Sequence, residues 1–228
     1  MNTFFVTRYA SRFLFTFKLK KIMKKTIVSG LTLMILSGMM AFAVGTDKTI
    51  ENLKAAFKGE STASAKYAAF AEQAKKENLP QIASMFEATS RAEAIHAANH
   101  KTVLEKLGQK MDPVKPEFTV NTTKDNLQAA IEGETYEMTK MYPDFIASAK
   151  SEEAQGAVKS FRWAMDTEKK HQLIYQNALN ALNANKVETL SKVYWVCPKC
   201  GNTYDVAKPE ASCAFCSTKS DKYIKFGK

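Results

Sequence analysis

Three regimes of apolar and polar residues succeed one another along the 228-residue chain. A basic start runs into a largely apolar stretch, Ile27 to Met40. Residues 46–182 then mix Ala and Leu with Glu and Lys, the composition of long helices. A short segment from Tyr194 onward is richer in aromatic residues and holds every cysteine of the chain. Breakers divide the middle regime into four helices. The first runs from about Asp47 to Glu77 and stops at Asn78-Leu79-Pro80; the second runs from Pro80 or Gln81 to Leu107 and stops at Gly108. A loop with Pro113 and Pro116 follows. The third starts after Thr122 or Thr123, where a hydroxyl can cap the free amides, and ends near Lys150. Pro143 would kink it unless the lost hydrogen bond is absorbed locally. The fourth spans Ser151 to about Leu182. Helices this long with short connections pack as antiparallel neighbours, so the expected fold is an all-α four-helix bundle over 46–182. A linker, 183–193, and a small β domain, 194–228, complete it.

Charge changes the picture only at the N-terminus. The formal net charge is +10, but residues 1–43 carry seven Lys/Arg and no acid. Removing those seven from the chain's 33 leaves 26 basic against 23 acidic residues, with no long basic run to track phosphates. A nucleic-acid partner is not expected. From Met23, Lys24-Lys25, the apolar stretch and Ala41-Phe42-Ala43 make the three parts of an export signal. The apolar stretch is short for a span of about 20 residues, so no stable membrane insertion is expected after cleavage. Residues 1–43 are expected to be a leader with Met23 as initiator, and the protein to be exported, to the periplasm; a leader that does not function would leave it cytoplasmic.

The bundle contains a repeat. Asn52–Glu60 matches Asn126–Glu134 at an offset of 74; Glu93-x-x-His96 matches Glu168-x-x-His171, and Phe86 matches Phe161, at an offset of 75. Two copies of one helix pair would be related by an approximate two-fold. Each offers one Glu from its first helix, Glu60 or Glu134, and one Glu-x-x-His from its second, with both side chains on one helical face. Carboxylates with imidazoles suit iron or manganese, and carboxylates can bridge two such ions. This is the ligand set of the ferritin-like di-metal carboxylate bundles. The repeat breaks at Glu137, whose equivalent is Ala63: an extra carboxylate on the ligand face. His100, one turn beyond His96, is expected to be exposed rather than bonded behind the ligands.

Cys197-Pro198-Lys199-Cys200 and Cys213-Ala214-Phe215-Cys216 are two C-x-x-C pairs twelve residues apart. Two such turns make a tetrahedral four-sulfur site that fits iron or zinc, and spacing does not choose between them. Tyr194-Trp195, Tyr204 and Phe215 could shield it. Free thiolates sit uneasily with export, because oxidising compartments favour disulfides.

Over nearly all of residues 47–228 the chain resembles rubrerythrins. Glu134-x-x-Glu137 followed by Met141-Tyr142-Pro143 looks like that family's third-helix motif. The resemblance implies two irons bridged by Glu93 and Glu168, with Glu60, Glu134 and His171 as terminal ligands and one iron exchanging Glu137 for His96 on reduction. It places Tyr67 and Tyr142 near the site, where they could equally serve as bundle packing with hydroxyls bonded to carboxylates. It makes the C-terminal domain rubredoxin-like with one iron on Cys197, Cys200, Cys213 and Cys216, although Ala214 stands where the family has a proline. It also implies a homodimer, with the thiolate iron of one subunit near the di-iron site of its partner. The expected function is a peroxidase that reduces hydrogen peroxide to water for oxidative-stress protection, taking electrons from a redox protein donor through the four-cysteine iron. Glu137, His96, Tyr67 and Tyr142 are its candidate catalytic residues. A ferroxidase of the ferritin kind and a passive electron carrier are the alternatives.

Overall fold

The structure, a computed structural model, describes residues 46–228; the leader expected over 1–43 lies outside the described residues. Four antiparallel helical rods form a ferritin-like bundle: α1 (Asp47–Lys76), α2 (Pro80–Lys106), a third rod, and α5 (Gln155–Asn183). The third rod is composite. It comprises α3 (Thr123–Tyr136), a π-helical turn (Glu137–Met141) and α4 (Tyr142–Ser151). Among the described residues no helix is long and apolar enough to cross a membrane.

The π-helical turn explains the change in repeat offset. Glu60 and Glu134 are 74 apart, whereas Tyr67 and Tyr142 are 75 apart. One residue has been gained between them, and a π turn absorbs one residue without ending the helix. It also answers Pro143, which falls in the first turn of α4, directly after the widened segment. The rod therefore runs through to Ser151.

Capping obeys the two-fold. Thr122 Oγ1 accepts from Asp125 N at 3.2 Å and starts α3. Glu77, just past α1, accepts from Thr123 N at 3.0 Å, and Glu152, just past α4, accepts from Thr49 N at 2.9 Å. Each half thus supplies an anion to the positive end of the other half's first helix. Because Glu152 is used this way, the chain turns at Glu153 (φ 53°) and α5 starts at Gln155, four residues later than the pattern suggested.

The C-terminal region is a three-stranded antiparallel sheet, order β2-β1-β3, with β1 at Val193–Val196, β2 at Thr203–Tyr204 and β3 at Ile224–Gly227. It lies against α2. Tyr194 and Val196 from β1 join the apolar cluster of Phe70, Phe86 and Tyr175 inside the bundle, so Tyr194 does not shield the cysteines as expected. Trp195, Tyr204, Phe215 and Tyr223 pack around the cysteines instead. Two apolar clusters fill the bundle, one around Tyr67, Phe70 and Phe86, the other around Leu53, Phe57, Tyr142 and Phe161. Along α1, Glu60 falls between the residues of one and those of the other.

Candidate metal centres

Two groups of buried ligands overlap at the middle of the bundle: Glu60, Glu93, His96 and Glu168, and Glu93, Glu134, Glu168 and His171. Glu93 and Glu168 belong to both, as two bridging carboxylates would. His96 Nδ1 lies 2.9 Å from Glu93 Oε2 and 3.0 Å from Glu168 Oε1. His171 Nδ1 lies 2.9 Å from Glu93 Oε1 and 3.0 Å from Glu168 Oε2.

His96 Nδ1 and Glu93 Oε2 share a hydrogen bond, but most of the other ligand atoms are close without being satisfied. Nine buried side-chain N and O atoms lack a hydrogen-bond partner among the described residues. Six belong to Glu60, Glu93, Glu134, Glu168 and His171, and a seventh, His96 Nε2, faces the Gly201 turn. His171 Nδ1 is within ion-pair reach of two carboxylates yet makes no hydrogen bond to either. Burying so much charge costs several kcal/mol per ion unless it is compensated. Two cations, one in each group of ligands, would compensate it, and hard oxygen with imidazole suits iron.

Without metal, the cluster holds protons strongly. Burial, then the charge of Glu137, pushes Glu60 well above the ordinary carboxylate range. Burial, then Glu93, does the same to Glu134 and Glu168. Glu137 is pushed up to about 8 by burial and Glu93. Burial would also raise Glu93, but His171 and His96 outweigh it and hold it below the usual range. Burial would lower His96, yet its bond to Glu93 and the charge of Glu60 raise it to about 9.

Behind the terminal carboxylates stand the two tyrosines. Tyr67 donates to Glu134 Oε1 at 2.6 Å, and Tyr142 donates to Glu60 Oε1. Again each half serves the other. In both glutamates the second oxygen, Oε2, is left without a partner and free for metal. His100 is fully buried, which corrects the expectation that it is exposed. Its Nε2 is 3.1 Å from Tyr142 Oη and its Nδ1 2.8 Å from Ser160 Oγ. Tyr142 spends its one hydrogen on Glu60, so His100 Nε2 must donate and Nδ1 must accept from Ser160. His100 is therefore neutral, consistent with burial and His96 lowering it to about 3. The repeat hides this residue: its counterpart 75 positions on is Tyr175, which bonds Thr89 instead.

Glu137 opens the π turn, half-buried, and belongs to neither close ligand group. His96 stands in the group that holds Glu60. The structure thus brings together six of the seven predicted ligands of the bundle and leaves Glu137 beside them.

The four cysteines also converge. Cys197 Sγ is 3.4 Å from Cys216 Sγ, and Cys200 Sγ is 3.5 Å from Cys213 Sγ. All four are free, and these distances are near the ~3.8 Å edge of a tetrahedron with metal–sulfur bonds of about 2.3 Å. The first turn is closed by Gly201 (φ 81°) and the second by Ser217 (φ 58°). The glycine is needed twice over, because a Cβ on it would collide with the His96 ring. His171 Nε2, in turn, meets Thr203 Oγ1 at 2.9 Å. His96 and His171 are thus both covered by the C-terminal region of their own chain.

Comparison with known proteins agrees with this geometry. The Rubrerythrin family model matches residues 51–179. Rubrerythrin-2 of Clostridium acetobutylicum is 36% identical over 179 residues, 78% of this chain and 96% of that protein. Nigerythrin of Nitratidesulfovibrio vulgaris is 35% identical over 189 residues, 81% of this chain and 88% of that protein. The solved structure of fully reduced, all-ferrous nigerythrin superposes with a TM-score of 0.71 at 34% identity, covering 78% of this chain and 86% of the other.

Proposed function

This chain belongs to the rubrerythrin family of iron-binding redox proteins, and from that premise we propose that it is a peroxidase. Its substrate is hydrogen peroxide, which takes up two electrons and two protons to give two waters. Iron held in the bundle would supply the two electrons together. In this reading Glu93 and Glu168, which belong to both ligand groups, would hold both irons, and Glu60, Glu134, His96 and His171 would complete the ligands. Tyr67 and Tyr142 each hold one oxygen of Glu134 and Glu60 and leave the other without a partner. Glu137, protonated up to about pH 8 in the metal-free site, is the carboxylate held in reserve to exchange with His96.

The observation that carries the reading is the contact of the cysteine knuckle with both histidines. Gly201, next to Cys200, meets His96, and Thr203 meets His171. A store for iron has no use for a redox centre in van der Waals contact with its ligands; an enzyme that must be refilled with electrons does.

Cys216→Ser tests it, because Cys216 is the least buried of the four ligands. In stopped-flow mixing with peroxide the reduced variant should oxidise its bundle iron at the wild-type rate, while steady-state turnover with a protein donor should collapse. Wild-type turnover in that variant would remove the relay from the proposal. Deleting residues from Lys192 onward is a poorer test, since it would strip Tyr194 and Val196 from the bundle core.

Export and dimerisation are part of the same proposal. Mature protein from the native host should begin near Val44, and intact Met23 or Met1 on cytoplasmic protein would overturn export. The donor is then a membrane or periplasmic redox protein. A homodimer that exchanges C-terminal domains would preserve every contact described above, and such exchange is a low-cost route to dimers. Sedimentation of the metal-loaded protein decides its state.

A further inference from the structure

Lys170 is flanked by two ligand positions of the bundle, Glu168 and His171, yet its ammonium is engaged with the other centre. Nζ donates to Asn202 Oδ1 at 2.6 Å and lies 4.5 Å from the Tyr204 ring centre and 4.9 Å from that of Phe215. Asn202 is fully buried, one residue past Gly201. Its backbone carbonyl accepts from Cys197 N at 3.0 Å, which fixes the residue to the first knuckle.

The orientation of the Asn202 amide follows from its partners. A lysine can only donate, so the oxygen must face Lys170 and the NH2 must face the opposite side. There Nδ2 reaches Tyr204 Oη at 2.7 Å and Cys213 Sγ at 3.6 Å. A positive charge therefore polarises an amide whose N–H points at a ligand sulfur, and serial hydrogen bonds of this kind reinforce one another.

We propose that Lys170, acting through Asn202, sets the reduction potential of the iron held by Cys197, Cys200, Cys213 and Cys216. The inference rests on the reading of that site as an iron centre. The ferrous tetrathiolate carries one more negative charge than the ferric form, so a cation directed at Cys213 favours the ferrous form and raises the potential. Hydrogen bonds to sulfur and local net charge are established levers on such centres. Lys170 is a positioning residue here: it touches neither substrate nor metal.

The test is a redox titration of the full-length protein reconstituted with iron, following the visible thiolate-to-iron absorption. In Lys170→Met, which keeps the aliphatic stem over Tyr204 and Phe215, the ferric form should gain up to about tenfold at fixed ambient potential, a fall of about 59 mV for a one-electron couple. Lys170→Arg should restore most of the difference. Asn202→Ser should lower the potential by itself and make it insensitive to Lys170→Met. An unchanged potential in Lys170→Met overturns the proposal, and an equal drop in both Asn202 backgrounds overturns the route through Asn202. Should Lys170→Met fold poorly, Lys170→Gln replaces it with the same expected direction. A chain that takes up iron but shows no thiolate-to-iron absorption would instead refute the iron reading of the cysteine site.

Discussion

Thr203 of the C-terminal sheet determines which nitrogen of His171 faces the bundle centre. Its hydroxyl hydrogen goes to Gly201 O at 3.1 Å, so toward His171 Nε2, 2.9 Å away, it can only accept. The imidazole proton is thereby fixed on Nε2, and Nδ1 keeps a lone pair for metal. Partners behind metal-bound histidines set tautomer and basicity in this way. The cysteine domain thus helps to build the bundle's metal site as well as standing next to it.

Thr203→Val should keep the shape and lose this bond. We expect affinity for ferrous or cobaltous ion in the bundle to fall roughly tenfold to a hundredfold. The four-cysteine iron should keep its absorption spectrum. Metal titration of the cobalt-substituted bundle measures the first; an unchanged isotherm would refute the tautomer argument.

Metal-free protein should lose stability as pH rises. Glu137 has its folded value raised from 4.5 to about 8, and Glu60, Glu134 and Glu168 are raised as well. Above pH 4.5 the unfolded chain releases these protons while the folded one retains them, so unfolding becomes easier with rising pH. His96, raised from 6.5 to about 9, adds stability that is complete below 6.5 and lost through 9. Glu93, held low, works oppositely: its contribution is complete above pH 4.5 and is lost only as pH falls below that, so it leaves the trend above pH 5 unchanged. From pH 5 to 9 the melting temperature of the apo-protein should drop by about 5 °C or more. Adding ferrous ion should abolish the trend and release protons, measurable in weakly buffered solution.

Much of this site was legible in the residues themselves. The repeat located Glu60, Glu93, His96, Glu134, Glu168 and His171, because a duplicated pattern survives without knowledge of packing. The C-x-x-C pairs carried their own geometry. His100 was misjudged because its partners, Tyr142 and Ser160, lie 42 and 60 positions away, and spacing along one helix cannot reveal a bond between helices. A signal for the π turn was present in the change of offset from 74 to 75, but it has meaning only once Tyr67 and Tyr142 are seen to be equivalent. Lys170 and Thr203 had no local signature, since their roles arise where the sheet meets the bundle.

The Tyr142 end of the site should prove more fragile than the Tyr67 end. Tyr67→Phe and Tyr142→Phe each remove a buried hydrogen bond to a carboxylate, worth about 1.5–3 kcal/mol. Tyr142→Phe also orphans His100 Nε2, whereas among the described residues the Tyr67 hydroxyl bonds Glu134 alone. His100→Leu should weaken metal binding at the Glu60 position and spare the Glu134 position, so a two-site isotherm should split. Equal weakening at both positions would show that the chain from Ser160 to Glu60 has no directional role.

Glu137→Ala separates the roles of the two exchangeable ligands. The repeat makes Ala63 the equivalent of Glu137, and Ala63 is buried in the bundle, so the scaffold accepts alanine at that level. We therefore expect the variant to fold and to bind metal through Glu60, Glu93, His96, Glu134, Glu168 and His171, all of which converge without it. Its metal-free form should be the more stable of the two at pH 8 to 9, because one buried group that resists ionisation has been removed. Peroxide turnover should nevertheless fall by an order of magnitude or more (about 1.4 kcal/mol or above in the barrier), since the oxidised metal loses the anion that would replace His96. Metal content, melting temperature and steady-state turnover on one preparation settle the matter. Two bound irons with wild-type turnover would mean that Glu137 is not exchanged during the reaction, and the bundle would then be better described as a ferritin-like iron-oxidising site.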